Sequence, residues 1–308
     1  MKASTRDKIA PYLFISPWLA GLLILTAGPL VFSFIMCFYN WSITGVPKFL
    51  GLGNFVRMFT NEPQFYESLR ITFSFAAIFV PFNMILALFL AMLITQPVRA
   101  VRVFGTIFYL PAVVSSVAVA IIWGWILNSR YGILNYLLSL LKIEGPMWLL
   151  DKWWAFAAII IVSAWGVGTM MLIFYTDIKN IPGDLYEASY IDGLSTPGQF
   201  FRITIPIITP SILFNLITSI ITALQQLTLV LLLTGGGPMR ATYFYGMFVY
   251  NNAFRHHQLG YAASNSWFMF VIILVLTAFV FKSSSAWVYY ESEVKTDKAG
   301  RKRGSKGK

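Results

Sequence analysis

Six long runs of this chain contain no Asp, Glu, Lys or Arg: 11–39, 71–95, 103–127, 153–176, 207–234 and 265–281. A helix needs roughly 20 apolar residues to cross the hydrocarbon core of a bilayer. Within that core, water cannot take up unpaired N–H and C=O groups, so a single apolar run crosses it as a helix. The runs therefore predict an all-α membrane protein with six transmembrane helices, which places both termini on one side. Over the whole chain, 57% of residues are hydrophobic and 11% are charged. Soluble domains carry about 25% charged residues, and here the charges are missing from whole stretches instead of being thinned evenly.

The N-terminal Lys2, Arg6 and Lys8 resemble the basic start of a signal peptide. However, the apolar run that follows exceeds the roughly 7–15 residues of such a segment. It also holds Pro11, Pro17 and Pro29, so it is expected to be retained as a span. With the N-terminus inside, fifteen basic residues are cytoplasmic (Lys2, Arg6, Lys8, Arg99, Arg102, Lys179, Arg202 and eight from Lys282 to Lys308) and eight are outside. The positive-inside bias thus predicts cytoplasmic termini in a multi-pass membrane protein, and the tail carries much of that bias. Residues 1–290 form the transmembrane domain in this reading. Residues 291–308 are a basic tail, polar and Gly- and Lys-rich, expected to be disordered and to meet anionic lipid, not nucleic acid. Trp148, Trp153, Trp154, Tyr39 and Trp41 flank spans at the headgroup level. Pro81, Pro111 and Pro210 are expected to kink their helices.

Residues 177–206, between the fourth and fifth runs, read DIKNIPGDLYEASYIDGLSTPGQFFRITIP. Pro182-Gly183 breaks the preceding helix, Asp184 is a candidate N-cap, and Gly193 is a natural stop. Leu185, Ala188, Ile191 and Leu194 recur at helical spacing. They predict a short helix with one apolar face and with Asp184, Glu187 and Asp192 as its charges. A helix of two or three turns is marginal alone and needs something to pack against. One lying on headgroups would carry Lys and Arg, whereas this one is acidic and suits a basic groove.

Glu187, Ala188, Ser189 and Gly193, followed after nine residues by Ile203, Ile205 and Pro206, resemble the signature of membrane subunits of bacterial ATP-binding-cassette importers. Ser stands at 189 where Ala is usual, and Ile205 replaces Leu. The similarity extends over nearly the whole chain. It points to the sugar-permease branch of maltose type through 11–14 (PYLF), 51–55 (GLGNF), 108–111 (FYLP), Asp192-Gly193, 234–238 (TGGGP), Ala253-Phe254 and 259–262 (LGYA). The resemblance implies that the loop helix is a coupling helix. Its docking residues on an ATPase would be Glu187, Ala188, Ser189, Asp192, Gly193, Ile203 and Pro206. The partners implied are a second, homologous permease subunit, a dimer of ATPase subunits and an extracytoplasmic solute-binding protein.

No cofactor is expected on this chain, because it lacks a phosphate-binding G-x-x-x-x-G-K-[ST] sequence. Gly235-Gly236-Gly237 continues into Pro-Met-Arg and is read as an outer turn. ATP and Mg are therefore expected on the partner ATPase, and the chain is not expected to be an enzyme. The spans carry no ionisable groups for proton or sodium coupling. Cys37 is the single cysteine, which rules out an internal disulfide and a cysteine-based zinc site. The adjacent His256-His257 have no Cys, Asp or Glu nearby and are read as a solvated outer loop.

A neutral sugar is held by hydroxyl-directed hydrogen bonds and by aromatic faces. Asn215, Ser219, Thr222 and Gln226 form one helical stripe on the fifth run, with Thr218 and Gln225 beside it. Trp165, Gly166, Gly168 and Thr169 gather in the middle of the fourth. The resemblance implies sugar contacts at Val162, Gly166, Thr169, Thr222, Ala223 and Gln226. Small and hydroxyl residues also mediate helix packing in membranes, so the stripe fits either role. Two other functions remain open: the same importer for an anionic solute such as glycerol 3-phosphate, or a non-pumping membrane scaffold or channel. An anionic solute would want a cation on the path, and the nearest, Arg240 and Arg255, are expected outside the spans.

Overall fold

The structure, a computed structural model, describes residues 5–43, 45–96 and 101–289. Lys2, Arg99 and the 291–308 tail, on which the orientation argument leans, lie outside the described residues. The described chain is mostly helical. Four helices are long and apolar enough to cross a membrane: Pro11–Met36, Pro63–Thr95, Thr209–Leu233 and Leu259–Ser284. Two further pairs pass the same test only together, Val103–Val113 with Ser116–Ile126 and Lys152–Ala164 with Gly168–Asn180, bent by 105° and 47°. The six apolar runs thus correspond to four segments that pass the test singly and two bent pairs.

Two helices extend beyond the charge-free runs. The 71–95 helix begins at Pro63 and the 265–281 helix begins at Leu259. Both extend past the charge-free run because a helix continues wherever its backbone bonds are made, while the absence of charge marks only the part matched to lipid. The 103–127 run is not one straight rod. Ser115 is extended (φ −61°, ψ 141°) and its Oγ accepts from the Ala118 N–H, so a fresh helix starts there.

The chain folds as two compact units. The first comprises Met1–Tyr66 and Phe248–Ile272. Its centre is a knot of backbone carbonyls at the end of the Gly28–Met36 helix. The Asn54 amide donates to the Cys37 carbonyl at 2.8 Å and to the Tyr39 carbonyl at 3.0 Å. The Ser264 hydroxyl donates to the Cys37 carbonyl at 3.0 Å. Gly260 has no Cβ because the first helix's end passes against it: a Cβ would meet the Tyr39 carbonyl, 2.9 Å from the Trp41 nitrogen and 3.0 Å from the Met36 carbonyl. Arg57 is fixed between the Tyr261 ring (4.1 Å), Gln258 (2.8 Å) and Glu62 (3.4 Å). The GLGNF and LGYA segments therefore have a packing reason: Asn54 and Gly260 meet at one helix end.

The second unit comprises Glu67–Met247 and Ile273–Lys308. Its apolar core runs along the second long helix. Phe75 and Phe79 pack with Ile159, Ala164, Ala223, Val230 and Phe244, while Ala87, Leu90 and Ile94 pack with Met171, Phe174 and Ile208. Gly168 allows the fourth span to touch the third, since a Cβ there would sit 2.6 Å from the Phe108 carbonyl. Thr234–Pro238 form a closed turn with Gly235 and Gly236 at φ +59° and +89°. Its polar groups are used internally: Thr234 Oγ1 meets Thr242 Oγ1 at 2.7 Å, and Thr242 donates to the Gly237 carbonyl.

Gly260→Val should destabilise the protein by about 1–3 kcal/mol, the usual cost of forcing atoms into a packed contact. Thermal scans of the detergent-purified protein would read this as a lower midpoint; an unchanged midpoint would show that the contact yields freely.

Candidate functional site

Three of the membrane-length segments break at one place. The third breaks between Val113 and Ser116, the fourth between Ala164 and Gly168, and the fifth between Leu224 and Thr228. In the fifth, Gln225 (φ −97°, ψ 11°) and Leu227 (φ −137°, ψ −57°) leave helical geometry. Residues from all three breaks line one cavity of about 540 Å³: Val114 beside Ser116, Trp165 with Gly166, and Gln225, Gln226 and Leu227. That volume falls within the roughly 300–1,000 Å³ of small-molecule sites. Irregular backbone at membrane depth is tolerated where it lines such a cavity.

The cavity wall mixes polar and apolar side chains and is uncharged. Ser116, Ser163, Thr169, Thr222, Gln225, Gln226 and Thr228 supply hydroxyls and amides, and no Asp, Glu, Lys, Arg or His is among the lining residues. Trp165 gives an aromatic wall and stands edge-to-face with Trp123 at 5.8 Å. A second, apolar cavity of about 370 Å³ shares Trp165 and Pro111 with the first.

Of the residues expected on a solute path, Val162, Trp165, Gly166, Thr169, Thr222 and Gln226 are brought together here. Asn215, Ser219 and Ala223 are not; all three are buried in the protein. The stripe on the fifth helix is one face, as its spacing predicts, but the cavity opens only beside its last turn. Asn215 Nδ2 and Ser219 Oγ are buried with no hydrogen-bond partner among the described residues, whereas Ala223 joins the Phe75–Phe244 core. Ser163 and Thr228 line the cavity without having been singled out from the sequence. Ser163 lies three residues before Gly166, a spacing that could have shown it. Ser116 had no sequence signal, because only the 105° bend brings the third span to this place.

The loop helix spans Gly183–Ile191, and Gly193 stops it at φ +79°. Asp184 lies inside its first turn and makes no cap bond; Pro182 precedes the helix instead. Tyr186 and Ser189 face inward. The Tyr186 hydroxyl meets Thr204 Oγ1 at 2.9 Å, and Gln199 Nε2 donates to Ser189 Oγ at 2.9 Å and to the Tyr186 carbonyl at 3.2 Å. The helix is thereby tied to the π-helical turn Phe200–Thr204 that feeds the fifth span. Glu187, Ala188, Asp192 and Gly193 face outward. Tyr190 and Ile191 are 77% and 84% exposed there. Ile203 and Pro206 are half-buried at the base of the span.

Gln199→Ala should raise hydrogen exchange in 183–191 several-fold, since each lost bond is worth about 1 kcal/mol. Mass spectrometry of exchange in the purified protein would check this; unchanged protection would mean that Gln199 does not hold the helix.

Residues 83–290, more than half of the chain, match the family of binding-protein-dependent transport system inner membrane components. The chain is 37% identical to the probable ABC transporter permease protein YesP of Bacillus subtilis, covering 94% of each chain. It is 34% identical to the lactose transport system permease protein LacF of Rhizobium radiobacter, covering 86% of this chain and 91% of that one. Its fold superposes with a TM-score of 0.80 on a chain of a bacterial alginate ABC transporter solved with an alginate pentasaccharide-bound periplasmic protein. The match covers 91% of this chain and 96% of that one at 22% identity.

Proposed function

The chain belongs to the family of binding-protein-dependent transport system inner membrane components, and from that premise we propose that it forms the sugar path of an ATP-driven importer. The observation that carries this reading is the meeting of three helix breaks at one uncharged cavity whose wall holds hydroxyls, amides and an aromatic side chain. Hydroxyls and amides exchange hydrogen bonds with a sugar's hydroxyls, and the indole of Trp165 suits the C–H face of its ring. The lactose-transport relative supports a carbohydrate as solute. An anionic solute is less well served, since no cation lines the cavity and Arg240 is paired with Glu67 at 3.4 Å.

In this reading each bent pair is one span, which gives six spans with both termini and the loop helix in the cytoplasm. Hydrolysis of ATP with Mg takes place on a separate ATPase dimer. The outward Glu187, Ala188 and Asp192 enter a cleft of that ATPase, where Glu187 pairs with a basic residue. The inner bonds of Tyr186, Ser189 and Gln199 make the loop helix and the base of the fifth span move as one piece. ATP-driven closure then rocks the fifth span, whose break carries Gln226, and the cavity opens alternately to either side. A second, homologous permease subunit completes the path, and an extracytoplasmic binding protein delivers the sugar.

Reconstitution with the ATPase and binding protein tests this. Sugar-stimulated ATP hydrolysis is expected in the wild type. Glu187→Arg should abolish uptake and weaken ATPase capture while leaving the permease folded. Wild-type uptake by that variant would remove the docking role, and ATP hydrolysis that no sugar stimulates would remove the pump.

A further inference from the structure

Gln226 sits in the break of the fifth span, where no helical ladder fixes it, yet two contacts from other segments hold it. Its Nε2 donates to Ser163 Oγ on the fourth span at 3.1 Å. Its main-chain carbonyl lies against Gly246: a Cβ there would stand 2.8 Å from the Gln226 carbonyl and 3.3 Å from Leu227 Cβ. Gly246 has little room to retreat. The Tyr245 N–H before it donates to Thr72 Oγ1 at 2.8 Å, and Thr72, Phe244 and Tyr245 are all buried.

We propose, on the reading of this cavity as a sugar path, that Ser163 and Gly246 are positioning residues that preset the Gln226 amide for recognising one edge of the sugar. One hydrogen of Nε2 is committed to Ser163, which fixes the amide plane and leaves Oε1 as its open acceptor. Ser163 Oγ, having accepted from the amide, keeps its own proton to donate into the same cavity. The pair thus offers an acceptor, Oε1, beside a donor edge made of the second Nε2 hydrogen and the Ser163 hydroxyl. It selects a sugar whose neighbouring hydroxyls can donate to the first and accept from the second. A free glutamine amide would turn over and accept either arrangement.

The test uses the complete transporter with its ATPase and binding protein, and uptake of lactose, cellobiose, maltose and trehalose. The binding protein is common to all variants, so its own preference cancels when variants are compared. In Ser163→Ala the ratio of the best to the worst sugar should fall about five-fold, the worth of one hydrogen bond. Ser163→Thr keeps the hydroxyl and should retain the ratio. Gly246→Ala, which presses on the Gln226 carbonyl, should lose it. If Ser163→Ala slows all four sugars by the same factor, Ser163 supports the fold only and the proposal fails. A second measurement does not depend on solute: the thermal midpoints of Ser163→Ala, Gln226→Ala and the double variant. The bond predicts that the double variant falls no further than the lower single one; additive shifts, or none, overturn it. Wild-type uptake of none of the four sugars would count against the carbohydrate reading, and the midpoints would still decide the bond.

Discussion

A backbone inside a bilayer has no water to complete its hydrogen bonds, and the rest of this structure depends on how the chain meets that constraint. Most of the apolar sequence meets it by staying helical. The exceptions fall together: Ser115, the Trp165–Val167 step and Gln225–Leu227 leave the helix where one cavity opens. Each irregularity has a local partner. Ser115 caps its own new helix, and Gln226 reaches Ser163 across to the fourth span. A long helix that breaks where it could have continued exposes main-chain and side-chain polarity at that depth. Three such breaks around one space make a partly polar chamber out of spans that hold no charge.

The same economy of polar groups governs the two helix ends that matter outside the cavity. Asn54 and Ser264 take up the Cys37 carbonyl where the first long helix ends. Tyr186, Ser189 and Gln199 join the loop helix to the entrance of the fifth span. Ser189, where the related signature prefers Ala, is therefore a bonded residue. Its hydroxyl donates to the Tyr186 carbonyl at 2.8 Å and accepts from Gln199. With the inner face committed to the chain itself, the outer face leaves Glu187, Tyr190 and Ile191 exposed. The apolar position Leu185 is exposed as well.

Much of this was legible in the residues. The charge-free runs marked the lipid-matched segments, and Gly193 marked the end of the loop helix, because only a residue without a Cβ takes φ +79° at no cost. Trp165, Gly166 and Thr169, which stand close together in the sequence, all line the cavity. Other features were not legible for physical reasons. Periodicity assigns residues to a face of a helix but not to what that face meets, so Asn215 and Ser219 share a stripe with Thr222 and yet are buried without lining the cavity. Asp184 has the side chain of a cap, but the chain enters the helix two residues earlier, with Pro182 at the cap position.

The sequence by itself determined that this is a multi-pass helical membrane protein, and that a short helix carrying Asp184 and Glu187 follows Pro182. Those properties are local: hydropathy, residue type and spacing decide them. Tertiary structure alone decided that the 103–127 run bends by 105°, that Ser116 meets Gln226 across a cavity, and that Gly246 and Ser163 hold the break from two sides. Bends and close approaches come from contacts between residues as far apart as 163 and 226, and no pattern along one helix encodes what lies against it.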